Sequence, residues 1–280
     1  MTTCAYLKPA SLSDALAARA AHPDYLLLAG GTDVMVGSHH RPEPPGVIDL
    51  FGCEGLAGVE DEGDAIRIAS GTTYAQLLRS DLVREHFPAL HACAQEVGAV
   101  QIQERGTLGG NMATSSPVGD TLPVLLALDA VVVLGSPGSE RRVPYARFCT
   151  GYRQVDLRPD ELIVAVELPR PAPGLRQFWR KVGTRRAQAI SKVMVAAAAR
   201  LEGGTIAHVR LAMGAVADRP IRLSETEALL QGQTPSPELA ERVRAQVRRE
   251  IEPISDVRST KDYRLTSAAN LAARFVGTLV

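Results

Sequence analysis

Two stretches of this chain hold residue types suited to gripping a ligand and unsuited to attacking one. The first is Leu28-Ala29-Gly30-Gly31-Thr32-Asp33, where paired glycines follow an apolar run. With no Cβ in the way, such a turn can bend sharply and converge its N–H groups on an anion, as a pyrophosphate requires. The plain alternative is a strand-ending turn, since glycine commonly punctuates structure. Asp33, itself an anion, fits a helix cap or a hydrogen bond to a hydroxyl better than a phosphate contact. The second stretch runs from Gln101 to Asp120 and includes Arg105-Gly106-Thr107-Leu108-Gly109-Gly110-Asn111-Met112-Ala113-Thr114-Ser115-Ser116. Its glycines, hydroxyls, amide and carboxylate can hydrogen-bond the phosphates and ribityl or ribose hydroxyls of a dinucleotide. It contains no nucleophile–base pair. Neither stretch has the G-x-G-x-x-G spacing of a Rossmann fold or the G-K-[ST] ending of a P-loop, which disfavours those two cofactor modes.

The elements that must hold these stretches follow from periodicity. A strand is expected at Ala5–Leu7, then a helix started by Ser11 and running through Ala20, with Leu12, Ala15, Leu16 and Ala20 on one face. The apolar run Tyr25–Ala29 leads into the first glycine pair. Short strands are expected at Val47–Leu50, Leu56–Val59 and Ala65–Ala69, with acidic and glycine residues in the turns. Helices are expected at Thr73–Ser80 and Phe87–Val97. The Gln101–Asp120 stretch reads as a long loop, a length that inside a compact lobe points to function. Strands at Ala130–Leu134 and Leu162–Leu168 precede a linker-like segment, Pro169-Arg170-Pro171-Ala172-Pro173-Gly174. Beyond it, strands at Gln177–Val182, Val193–Leu201 and Ile206–Gly214 and helices at Ser224–Leu230 and Pro237–Arg249 make a C-terminal α+β unit.

Bulk properties exclude several classes. Of the 280 residues, 45% are hydrophobic and 22% charged, within the globular range and enough for two or three cooperating cores. Thirty-one basic side chains balance thirty-one acidic ones, so no overall field draws in nucleic acid or an anionic membrane. The basic run Arg180, Lys181, Arg185, Arg186 lacks the interleaved aromatics that stack on bases, and reads as a surface face or subunit contact. Apolar runs are too short to span a bilayer, and Met1-Thr2-Thr3-Cys4 is not a signal sequence, so the cytoplasm is the expected location. Cys4, Cys53, Cys93 and Cys149 form no C-x-x-C pair, and the histidines, including His39-His40, have no spaced partners; any iron–sulfur chemistry belongs to another chain.

In order and spacing, Leu28–Asp33, Gln101-Ile102, Arg105–Asn111, Ser116-Pro117, Asp120, Pro123 and Leu126–Ala130 resemble the two FAD-binding signatures of the molybdenum hydroxylase medium subunit, the xanthine dehydrogenase and carbon monoxide dehydrogenase type. The likeness continues through Arg180-Lys181 and Ala189–Val193 to Ser255–Arg264, nearly the whole chain. It implies an α+β architecture: a two-lobed FAD-binding domain of the PCMH and vanillyl-alcohol-oxidase type, with lobes at 1–54 and 55–170, and a small C-terminal domain of the carbon monoxide dehydrogenase flavoprotein type at 175–280.

By that resemblance, Ala29, Gly30, Gly31, Thr32 and Asp33, with Thr107, Gly110 and Asn111, clamp the FAD pyrophosphate. Ser116 and Asp120 bind ribityl or ribose hydroxyls, Ile163 packs on the flavin or adenine, and Lys181 lies near the cofactor. The plain alternatives are strand core for Ile163 and a solvated lysine for Lys181. Two positions depart from the family pattern. Val97 stands where the animal xanthine dehydrogenases place an aromatic over the flavin, and Gln103-Glu104 replaces Arg-Asn, lowering local positive charge. The resemblance further implies electron relay: a molybdopterin-binding large subunit and a [2Fe–2S] small subunit supply electrons, and NAD, a quinone or dioxygen receives them, within a dimer of heterotrimers. No side chain of this chain then needs to act as acid or base. A self-sufficient flavin oxidase is the rival within enzymes, though the roughly 100 residues after the linker make a small domain for its substrate. A cofactor-free scaffold is the rival outside them.

Overall fold

The computed structural model describes residues 4–36 and 42–280; His39-His40 lie outside the described residues. The N-terminal part is β1 (Ala5–Leu7), α1 (Leu12–Ala21), β2 (Leu26–Leu28) and β3 (Gly46–Asp49), with the strands in a parallel sheet of order β1-β3-β2. Ser11 starts α1 through a capping box: its hydroxyl accepts from Asp14 N at 3.2 Å, and the Asp14 carboxylate accepts from Ser11 N at 3.3 Å. The helix presses Leu12, Ala15 and Leu16 against Cys53, Leu56 and Leu162, joining this layer to the next.

The middle of the chain comprises β4 (Val59–Asp61), β5 (Ala65–Ala69), α2 (Tyr74–Arg79), α3 (Asp81–His86), α4 (Pro88–Glu96), α5 (Val100–Gln103), α6 (Leu108–Thr114), α7 (Leu122–Ala127), β6 (Val131–Ser136), β7 (Ser139–Pro144), α8 (Tyr145–Phe148), β8 (Cys149–Gly151), β9 (Gln154–Val155) and β10 (Leu162–Pro169). An antiparallel sheet of order β4-β5-β10-β6-β7 places β10 at its centre. This strand is buried on both faces, which is why Leu162-Ile163-Val164-Ala165-Val166 reads as an unbroken apolar run. Two expectations fail here. Leu56–Val59 is mostly not strand, because Gly58 sits at φ +137° and brackets the Thr72 hydroxyl with its N–H and carbonyl, both at 3.0 Å. The Gln101–Asp120 stretch is not one long loop either. Thr107 caps α6 by accepting from Gly110 N at 3.1 Å, and Leu108 and Met112, one turn apart, anchor the helix in the core.

The C-terminal part is β11 (Arg176–Val182), β12 (Val193–Glu202), β13 (Thr205–Gly214), β14 (Ile221–Arg222), α9 (Ser224–Leu230), α10 (Pro237–Glu250) and α11 (Lys261–Gly277). The strands form an antiparallel sheet in sequence order. One face sends Trp179, Ala196, Ala198 and Ala212 into the core shared with the α4 and α7 region; the other sends Val195, Ala197 and Leu211 against α10 and α11. Burial on both sides explains the small-residue run Val193–Ala199. Helix α11 is absent from the sequence-based expectations: its buried face is mainly Ala268, Ala269 and Ala272, which give little apolar contrast. At its start the buried Arg264 guanidinium donates to the carbonyls of Lys192 (2.6 Å) and Ala215 (3.2 Å) and to Asp256 Oδ1 (2.8 Å), locking the Ser255–Arg264 turn onto the sheet. All four cysteines are free. Among the described residues no helix is long and apolar enough to cross a membrane, and no group of metal-ligating side chains gathers.

Candidate functional site

Ten of the twelve candidate residues line a single cavity of about 560 Å³ between the N-terminal layer and the middle of the chain. They are Ala29, Gly30, Gly31, Thr32, Asp33, Thr107, Gly110, Asn111, Ser116 and Ile163. The volume falls within the range of ordinary cofactor pockets. Asp120 and Lys181 stand behind its wall.

The loop after β2 supplies the polar end. The Leu28 carbonyl accepts the last ladder bond, from Leu50 N at 2.7 Å, and the chain then turns with Gly31 at φ +76°. Among the described residues, none of the backbone N–H groups from Ala29 to Val34 donates to a protein acceptor, although all six residues are half-buried. Half-buried amides need partners, and consecutive free N–H groups around a turn form an anion nest. Gly30 is required for a different reason: a Cβ there would lie 1.8 Å from the Arg105 carbonyl oxygen, because the two glycine stretches abut. The Arg105 guanidinium adds a cross-lobe contact, 3.7 Å from the centroid of the Phe51 ring.

The second stretch, by resemblance also part of the pyrophosphate clamp, presents its backbone differently. Its amides are engaged: Leu108 N donates to Thr72 O (3.0 Å), Gly109 N to Ser70 O (2.7 Å), Gly110 N to the Thr107 hydroxyl (3.1 Å) and Asn111 N to Thr107 O (3.1 Å). What it offers the cavity is side chains and space. Asn111 Oδ1 accepts from the buried Thr121 hydroxyl at 2.6 Å, which leaves the Asn111 Nδ2 group as the donor. A Cβ on Gly110 would meet only the Thr107 hydroxyl, at 2.8 Å, and otherwise open space. Ser116 Oγ accepts weakly from Val118 N at 3.4 Å. Thr114 donates to Asp33 Oδ2 at 3.4 Å and so ties the two stretches together.

The cavity also has an aliphatic side. Leu27, Leu50, Leu56, Leu162, Ile163 and Val97 line it, and Ile163 is at once core and wall, 8% exposed. Tyr74 is the one aromatic among the described lining residues, and burial raises the pKa of its hydroxyl, opposed by the Thr121 side chain. Sequence reasoning missed it, since Tyr74 reads simply as core of α2. It also missed Arg153, the one lining cation among the described residues, carried at φ +52° in the hairpin turn between β8 and β9. The signal was a Gly151-Tyr152-Arg153-Gln154 turn too short to stand out. Gln103 and Glu104 are outside the lining. Gln103 Nε2 pins the Val97 carbonyl at 3.1 Å, and Glu104 pairs outward with Arg79 at 2.5 Å.

Asp120 and Lys181 meet each other. Lys181 Nζ lies 2.5 Å from Asp120 Oδ2 and 3.3 Å from Glu96 O, and the Ser191 hydroxyl donates to Asp120 Oδ1 at 2.6 Å. Lys181 is therefore no solvated lysine: its side chain is 2% exposed. Each Asp120 oxygen thus has a protein partner, and neither Asp120 nor Lys181 is among the described lining residues. Burial pushes the Asp120 carboxyl up, opposed by the Lys181 ammonium and the Ser191 hydroxyl.

A nest of free amides at one end, a hydroxyl and amide rim beside it, and a slot of aliphatic side chains make a site of the dinucleotide-cofactor class, and the residues present fit FAD. Residues 2–171 match the family model described as the FAD binding domain in molybdopterin dehydrogenase, and residues 179–279 match the CO dehydrogenase flavoprotein C-terminal domain. The chain is 32% identical over 278 residues to the xanthine dehydrogenase FAD-binding subunit of Escherichia coli O157:H7, covering 98% of this chain and 95% of that one. It is 30% identical to the glyceraldehyde dehydrogenase medium chain of Sulfolobus acidocaldarius, covering 92% of each. The solved structure of carbon monoxide dehydrogenase from Hydrogenophaga pseudoflava superposes with a TM-score of 0.92 at 28% identity, over 97% of this chain and 95% of that one. Quinoline 2-oxidoreductase from Pseudomonas putida 86 gives 0.92 at 25% identity, over 99% and 96%. The chain belongs to the family of FAD-binding subunits of molybdopterin dehydrogenases, the xanthine and carbon monoxide dehydrogenase type. It is an oxidoreductase subunit with FAD as its cofactor, and its two-lobed FAD-binding domain is followed by a C-terminal flavoprotein domain.

Proposed function

We propose that the cavity between the lobes is the FAD site and that the chain relays electrons from a [2Fe–2S] small subunit, itself fed by a molybdopterin-binding large subunit of the xanthine dehydrogenase type, to NAD, a quinone or dioxygen. One observation carries this reading: six consecutive residues, Ala29 to Val34, whose N–H groups have no acceptor among the described residues, line the same cavity as the aliphatic Val97, Leu162 and Ile163. The amides hold the pyrophosphate without a lysine or metal. The Asn111 amide, the Ser116 and Thr114 hydroxyls and Asp33 bind ribityl or ribose oxygens, and the slot excludes water from the ring end. When bound, FAD supplies a carrier that takes up two electrons and gives them up again.

The chain's contribution is position, access and electrostatics. The self-sufficient oxidase loses ground because no described lining residue comes from beyond Ile163, so the C-terminal part adds no substrate chamber to this cavity. We assign lobes at 1–54 and 55–170 and a C-terminal domain at 175–280, assembly as a dimer of heterotrimers, and residence in the cytoplasm, where four free thiols are the norm. The test is Gly110→Val in the full chain. The purified wild type is yellow with flavin absorbance; the variant stays folded and loses at least ~100-fold in FAD affinity. A folded variant with normal FAD content sinks the site.

A further inference from the structure

The segment between β11 and β12 carries Arg185 and Arg186, and neither lines the cavity. It is tied down on itself and on its neighbours. Arg185 donates through Nε and Nη2 to the Gln188 carbonyl at 2.9 and 2.6 Å, and Gln188 N donates to Gly98 O at 3.0 Å, next to the lining residue Val97. One neighbour is α5, where residues two apart point about 200° from each other. Ile102 accordingly lines the cavity while Val100, on the other side of the turn, is 70% exposed. A single helical turn separates solvent from the cavity there. The other neighbour is the Ser255–Arg264 turn: Lys192 Nζ lies 5.1 Å from the centroid of the Tyr263 ring, and the Arg264 guanidinium donates to Lys192 O at 2.6 Å. Inside that turn Asp256 Oδ1 accepts from the amides of Arg258 (2.9 Å) and Ser259 (3.0 Å), and Lys261 N donates to Ser255 Oγ at 2.8 Å. From this frame Ile190, Ile254, Tyr263 and Val257 face solvent, Val257 at 98% exposure.

A turn that merely connects two elements has no need to hold apolar side chains rigidly in water. Grouped exposed apolar residues mark a contact surface, and fixing them beforehand lowers the ordering cost of association. Charge says what they contact. Between 183 and 192 and between 254 and 264 the basic residues are Arg185, Arg186, Lys192, Arg258, Lys261 and Arg264, and the acidic ones only Asp256 and Asp262, in a chain whose charges balance overall. Such a face attracts an acidic partner. A [2Fe–2S] cluster held by four thiolates brings net negative charge, and electron transfer from it weakens steeply with distance, so its carrier must sit where the cavity wall is thin. We propose that this face is the docking surface for the [2Fe–2S] subunit, whose apolar hollow takes Val257 and Tyr263 and whose acidic rim meets Arg186 and Lys261. The inference rests on the relay reading above.

The test purifies the assembled complex through a tag on this chain and follows iron, acid-labile sulfide and molybdenum against flavin as the complex is diluted. Val257→Asp puts a charge in the hollow and weakens iron–sulfur subunit retention at least ~100-fold. Arg186→Glu/Lys261→Glu reverses two rim charges and weakens it about tenfold, a difference that shrinks at high salt. Both variants keep wild-type FAD content and melting temperature, since all three residues are exposed and none lines the cavity; a glutamate at 261, in the first turn of α11, also suits the helix dipole. Wild-type retention of iron by both variants overturns the surface. So does loss of molybdenum with iron retained, which would give the face to the large subunit. A wild-type chain that sediments alone as a dimer, split by Val257→Asp, overturns it as well by making the face a self-contact. If Val257→Asp does not fold, the double reversal decides: wild-type iron retention there overturns the proposal. Failure of the relay reading looks different, because the wild-type complex itself would then carry flavin and no iron, and the surface would fall with it.

Discussion

The two glycine stretches look alike in sequence and behave in opposite ways. In the first, from Ala29 to Asp33, the amides have no acceptor among the described residues and Gly31 takes a positive φ, so on the proposed function the backbone itself is the binding group. In the second, the amides from Leu108 to Asn111 are taken up by Thr72 O, Ser70 O and Thr107, and Gly109 is needed because its would-be Cβ lies 2.5 Å from Ser70 Cβ and 2.7 Å from its carbonyl oxygen. Glycine thus supplies donors in one place and clearance in the other. Only the hydrogen-bond accounting of each N–H separates the two roles.

Three substitutions sharpen or break that contrast. Gly30→Ala has the largest effect, because its methyl would collide with the Arg105 carbonyl, backbone against backbone, and neither side can rotate away. A loss of about 3 kcal/mol in urea unfolding is expected, with little FAD retained; a melting temperature equal to wild type would show that the loops do not abut. Asp256→Asn tests a region remote from both loops. Burial pushes the Asp256 carboxyl up, but the Arg264 guanidinium and the amides of Arg258 and Ser259 outweigh it and bring its pKa to about 2. A depressed carboxylate contributes stability above its unfolded pKa of about 3.9 and loses it as pH falls toward 2. The variant should be about 2 kcal/mol less stable at pH 7 and show a flatter acid limb between pH 4 and 2, with FAD affinity unchanged. Parallel acid limbs for the two proteins would remove Asp256 from that role. Thr107→Ala is the mildest. It deletes the α6 cap at a cost of about 1 kcal/mol, while the free amides of the first loop stay in place, so FAD affinity drops only a few-fold. A loss of FAD as deep as that of Gly110→Val would return phosphate binding to the second loop.

Much of the fold was legible because its signals are local. The Ser11 capping box, the apolar run at Leu162–Val166 and the helix at Ser224–Leu230 announce themselves within a few residues. Both glycine stretches were legible for the same reason. The rest depends on distance. Asp120 and Lys181 are 61 residues apart, and nothing near either one says that they meet. Tyr74 and Arg153 reach the cavity from a core helix and a two-residue turn. Helix α6 hid among glycines and hydroxyls that read as loop, and α11 among alanines. The aliphatic Val97 in place of a stacking aromatic was visible at once, but its carbonyl pinned by Gln103 was not.

The contact of Gly30 with Arg105 bears on assembly. The lining residues run from Leu27 through the Thr107–Asn111 stretch to Ile163, so no contiguous fragment that stops short of Ile163 contains a finished pocket. Pairings this far apart in sequence form late, after the loop-closure cost of each has been met. On the proposed site, flavin colour marks a chain whose residues from Leu27 to Ile163 have come together, and a colourless one is visibly unfinished there.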